Sequence, residues 1–261
     1  MLLGVATLWL IFWTLPAAAQ VDLVISPIRV EHQVPAGGSE TNIIQVRNES
    51  AKPERVRVYL EDWSMDQKGN LTYARPGKSP SSCAPWIQVN PTDFRLDPGT
   101  REVRYTLTVP PGAKPGSYWT AIIFEAMPTQ EGKPAGKKMG VHGRIGAIIY
   151  ETLGNPEIKA NFQDFKVDTS KKEPVFRLTL ANGGAGFYRL RKSYISVKNS
   201  QGTETARLEV PEVPLLPRTT RELEIKPDKP LPRGEYLAEA VLDVGRRDFL
   251  GRKISFKIGG K

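Results

Sequence analysis

The 261-residue chain has a single cysteine, Cys83, so no disulfide can close within it. Stability must therefore come from buried cores rather than staples. Histidine is almost as scarce, with only His32 and His142. There is no histidine pair at i and i+4, no Cys/His cluster and no acidic calcium loop, which removes the common metal sites. No G-x-S-x-G elbow, phosphate-cradling glycine loop or dinucleotide fingerprint occurs. Glu61 and Asp62 adjoin at a strand end and point to opposite faces, a poor acid/base pair. No catalytic residue, metal or cofactor is expected, and a binding or assembly role becomes the default. A long apolar pattern with helical period is missing too, and no run after the first 19 residues is apolar enough to span a bilayer.

Those first 19 residues, MLLGVATLWLIFWTLPAAA, read as an export signal cut after Ala19. A continuous apolar run leads to Pro16 and an A-x-A site. Lys or Arg does not precede the run, and the alternative is an uncleaved anchor, for which the run is short. Export predicts an oxidising compartment. Lys and Arg outnumber Asp and Glu by 37 to 28. The excess lies in the second half, with 16 to 14 over residues 20–152 and 21 to 14 over residues 153–261. Its charges, RLRK at 189–192 among them, are scattered, as on a solvated surface. Nucleic acid is not an expected partner: no recognition motif is present and export argues against it.

What fills the chain is short alternating runs between turn residues. DLVISPIRVE, TNIIQVRN, ERVRVYLEDW, WIQV, REVRYTLTVP, SYWTAIIFEA and residues 139–154, MGVHGRIGAIIYETLG, give seven candidate strands. Pro27 within the first marks an edge or a change of sheet. Seven more candidates follow, from EIKANFQDFKV to RKISFKI. LDPGTREVRYTLTVPPGAKPGSYWTAIIF is echoed by LLPRTTRELEIKPDKPLPRGEYLAEAVLD, pairing Arg101 with Arg221 and Tyr118 with Tyr236. Each tyrosine follows Gly-x, the position of a corner tyrosine bonded back to nearby backbone. The expected fold is all-β: two immunoglobulin-like β-sandwich domains in tandem, 20–152 and 153–261, joined near residues 152–156.

In residues 139–154, Met139, Val141, Ile145, Ala147 and Ile149 alternate, broken by Gly143. Gly146, Ile148 and Tyr150 leave the other face less polar than a solvated face should be. The strand either closes its own sandwich or is wanted by a partner. Several stretches carry a resemblance here. ISPIRVEHQVPAGGSETNIIQVRNES, RVRVYLEDW, FRLDPGTREVRYTLTV and SYWTAIIFEAMP, then a polar loop and a hydrophobic strand, are similar in order and motif to periplasmic pilus-assembly chaperones. The resemblance covers roughly residues 22–152. It implies a chaperone located in the periplasm that lends its last first-domain strand to secreted pilin-like subunits, with an outer-membrane usher as a further partner and no need for ATP. It also implies two basic residues that hold the subunit's C-terminal carboxylate. Arg29 in SPIRV matches the first of these. The second, normally a lysine just before the strand's aromatic end, is replaced: Gly146, Ala147 and Ile148 stand there, and Arg144 is the nearest basic residue. Arg29 also has an ordinary alternative, a local ion pair with Glu31 or Glu61. The other function class left open is a cell-surface adhesion or scaffold protein of two sandwiches, and an uncovered edge strand would invite self-association.

Overall fold

A computed structural model describes residues 23–127, 143–170, 173–245 and 249–259. Residues 1–22, which include the expected export signal, and Met139, Val141 and His142 lie outside the described residues. Up to Leu153 the strands are β1 (Leu23–Ser26), β2 (Arg29–His32), β3 (Ser39–Asn48), β4 (Glu54–Met65), β5 (Leu71–Ala74), β6 (Ile87–Asn90), β7 (Asp93–Leu96), β8 (Gly99–Thr108), β9 (Gly116–Met127) and β10 (Arg144–Leu153). One sheet has the order β1-β3-β8-β6, and the other has β2-β10-β9-β4-β5 with β7 on β4. The first apolar run is thus split at Pro27: β1 pairs with β3 in one sheet, while β2 runs parallel to β10 in the other. The Ser26–Pro27 bond at the switch is cis.

Alternation sets which residues enter the core. Ile44 and Val46 of β3 and Val103, Tyr105 and Leu107 of β8 face inward, and the polar residues between them face out. Facing them are Val56 and Val58 of β4, Ile122 and Phe124 of β9, and Ala147, Ile149 and Leu153 of β10. Cys83 belongs to this core with no exposed surface. Burial pushes its thiol pKa up.

The second sandwich comprises β11 (Ala160–Asp168), β12 (Val175–Asn182), β13 (Tyr188–Arg189), β14 (Arg191–Asn199), β15 (Glu204–Glu209), β16 (Pro214–Leu215), β17 (Thr219–Ile225), β18 (Gly234–Asp243) and β19 (Phe249–Ile258). Its sheets are β11-β12-β17 and β15-β14-β18-β19, with β13 and β16 as a two-residue ladder. Phe176, Leu178, Leu180, Ile195, Val197 and Leu242 fill its core. The internal echo is structural. Tyr118 Oη donates to Lys114 O and Tyr236 Oη to Pro232 O, both at 2.8 Å. Each corner tyrosine sits at the start of its strand, β9 or β18.

A third apolar cluster joins the two sandwiches. Trp63, Trp119, Ala121, Ile123 and Tyr150, on the outer face of the first, meet Leu216 and Phe187 of the second. The rings of Tyr150 and Phe187 stack at 4.7 Å. Strand β9 therefore reads as a continuous apolar run because both of its faces are covered. Two polar contacts flank the cluster. Phe187 N–H donates to Ser117 Oγ at 2.9 Å. At the β4–β5 turn, Gln67 O accepts from Glu222 N at 2.8 Å and from Arg221 Nη1 at 3.1 Å.

Candidate functional site

Strand β10 is treated differently along its length. All of it pairs antiparallel with β9, from Arg144↔Glu125 to Leu153↔Gly116. Only its second half has a neighbour on the other edge, where Ile148↔Arg29 through Glu151↔His32 form the parallel ladder with β2. The last hydrogen bond of that seam is Ile148 N to Ile28 O, 2.9 Å. Beyond it, over residues 144–147, no strand among the described residues pairs with the free edge.

The faces divide in the same way. Ala147 and Ile149 are fully buried in the first core, and Ile145 packs against that core while only half-buried. The apolar second face has its explanation in the joining cluster, which takes Tyr150 and Ile148. In its second half the strand closes its own sandwich. Its first half keeps, among the described residues, an open backbone edge and one partly covered apolar side chain.

Arg29 stands at the end of that open edge. Period two along β2 turns Val30 and His32 inward and leaves Arg29 and Glu31 on the outer face. Arg29 lies 3.9 Å from Glu31, the local pair the sequence allowed. Arg144 does not join it. Four residues up β10, Arg144 pairs with Glu61 at 3.3 Å and lies over the Tyr73 ring at 5.2 Å.

The residues that do join Arg29 come from the second sandwich and escaped the sequence reading. Arg189 Nε lies 3.1 Å from Glu31 Oε1, and Arg191 Nη2 lies 3.5 Å from Oε2. Their signal was spacing: Leu190 between them is fully buried in the second core, so both arginines point away from it. Arg189 is 4% exposed at its side chain and lies over the Tyr150 ring at 5.6 Å. Beside them opens a pocket of about 280 Å³ lined by Glu31, Thr152, Phe187, Tyr188, Arg189 and Arg191, among others.

A buried carboxyl lies at the inner side of the same seam. Glu151 has no exposed surface, and both of its oxygens accept from Val34 N, at 3.1 and 3.3 Å. Burial raises its pKa to about 7. Nearby, His32 Nε2 and Tyr105 Oη are hydrogen-bonded at 2.8 Å, and His32 Nδ1 lies 3.3 Å from Glu40.

No family model matches the sequence. No curated protein matches it. Solved structures do match in three dimensions. One is a chaperone–tip adhesin complex of CFA/I fimbriae biogenesis, with a TM-score of 0.50 and 14% identity over 89% of this chain and 98% of that one. Others are the class 5 fimbriae chaperone CfaA, at 0.49 and 14% over 89% and 98%, and the CsuC–CsuE chaperone–tip subunit complex of Csu pili from Acinetobacter baumannii, at 0.47 and 13% over 89% and 97%. At such identities it is the architecture that is shared: this chain has the fold of a fimbrial chaperone, two immunoglobulin-like β-sandwiches in tandem.

Proposed function

We propose that the protein is a chaperone-type assembly factor for exported, pilin-like subunits, and that the first half of β10 is the strand it lends. The observation that carries this reading is the half-open edge over residues 144–147, which ends at Arg29. A strand laid along that edge would continue the line of β2. Running parallel to β10, it would end C-terminus first against Ile28 and Arg29. An antiparallel strand would bring an amino terminus there instead. The guanidinium favours the carboxylate, so it selects the parallel orientation. Four residues of edge offer roughly 13 Å of backbone. Ile145 would enter the client, while Ala147 and Ile149 stay at home. Strand pairing and apolar burial drive such a capture, and no nucleotide is required.

The reading implies export to the periplasm and a non-enzymatic role, with an usher as downstream partner. The test is to tag the mature protein at its C-terminus and identify by mass spectrometry what co-purifies from the envelope. A small β-rich secreted subunit, retained by the wild type and lost from both Ile145→Asp and Arg29→Ala, is the expected result. Equal recovery in all three, or no such subunit, sinks the proposal and returns the adhesion or scaffold reading to the front.

A further inference from the structure

We infer that the second sandwich supplies the second cation of the anion-holding cleft: Arg191, on β14, acts with Arg29, and Glu31 occupies the place while no client is bound. This rests on the chaperone reading above. The lending strand itself brings no cation to that point, since residues 146–148 are Gly, Ala and Ile, and Arg144 is engaged elsewhere, with Glu61.

Around Glu31 the balance of charge is uneven. Three guanidinium groups, from Arg29, Arg189 and Arg191, lie within 4 Å of one carboxylate. Arg189 is fixed from below by the Tyr150 ring, yet its Nη2 is buried without a hydrogen-bond partner among the described residues. A buried donor left unmade is costly, and an acceptor arriving beside it would relieve that cost. Arg29 and Arg191 are 45% and 58% exposed at their side chains, so both remain within reach of an incoming group. They stand on different sandwiches, one on each side of Glu31. A carboxylate arriving at the end of the open edge meets a net excess of two positive charges, and binding it ties one sandwich to the other.

The probe is a synthetic peptide of alternating valine and threonine, made as the free C-terminal acid and as its amide. Affinity for the protein is measured by titration calorimetry. The wild type is expected to bind the acid about tenfold more tightly than the amide, the scale of one charge-assisted contact. Arg191→Ala should erase that preference, and Glu31→Gln should enlarge it by removing the competing carboxylate. If Arg191→Ala keeps the full preference while Arg29→Ala loses it, Arg29 acts alone: the inference falls and the chaperone reading stands. If Glu31→Gln loses the preference as Arg191→Ala does, the pair is only a latch between sandwiches, and the inference again falls. If the wild type binds neither peptide, the inference falls together with the strand-lending reading beneath it.

Discussion

At the scale of single residues, the buried polar groups of the first sandwich define its response to solution conditions. The Glu151 carboxyl is sealed in with one backbone N–H for its two oxygens. Its pKa is raised from 4.5 to about 7, chiefly by burial. A carboxyl raised on folding favours the native state while protonated, so its contribution is fully present below its unfolded pKa and is lost as pH climbs through the folded one. Wild-type stability should therefore fall between about pH 4.5 and pH 7, by at most about 3 kcal/mol from this group. Glu151→Gln should flatten that slope in urea titrations run across the range, and an unchanged slope would assign the pH dependence elsewhere. Cys83, fully buried and with its thiol pKa pushed up, should resist thiol reagents in the native state and label only on unfolding. Fast labelling of folded protein would contradict the packing described here. Arg29 was singled out as a candidate because its neighbours Ser26, Pro27 and Ile28 form a motif. Arg189 and Arg191 were not, because RLRK reads as surface charge until Leu190 is seen inside a core.

At the scale of elements, strands with a regular inward and outward rhythm were the easiest to read. Strands β3, β8 and β18 each overlap a run of alternating sequence and begin one or two residues before it. Strands β5 and β7, four residues each, and the two-residue pair β13 and β16 left too little pattern to recognise. The switch at Pro27 was legible from proline chemistry alone, since a residue without an N–H belongs at an edge or a break. The half-open edge of β10 was not, because alternation describes faces and says nothing of which neighbour lies along the side. The corner tyrosines offer a check on the internal echo. Tyr236→Phe removes the hydroxyl bond to Pro232 O and keeps the ring against Phe256, so it should cost about 1 kcal/mol of stability. Tyr118→Phe should cost less, because its bond to Lys114 O lies in solvent. Equal and negligible losses in chemical denaturation would mean that the repeated motif carries no energetic role.

At the scale of the whole molecule, the two sandwiches are held by one apolar cluster and by polar contacts around it. Phe187 is central: it stacks on Tyr150, and its backbone is held by Ser117. Phe187→Ala should weaken the junction by about 2 kcal/mol, less than a fully buried phenylalanine would. Calorimetry should then resolve two melting transitions where the wild type is expected to give one. A single undivided transition would place the coupling in the arginine–glutamate contacts or at the β4–β5 turn instead. The excess positive charge of the second half has a partial use in this frame, because two of those arginines, Arg189 and Arg191, pair with Glu31 of the first sandwich.

The sheet change at Pro27 has a mechanical consequence. A few residues apart, the same stretch of chain is hydrogen-bonded to β3 in one layer and to β10 in the other. It works as a stitch through both layers of the cloth. Tension applied to β2 along its seam with β10 is shared at once between the two sheets. The load does not fall on a single outer strand.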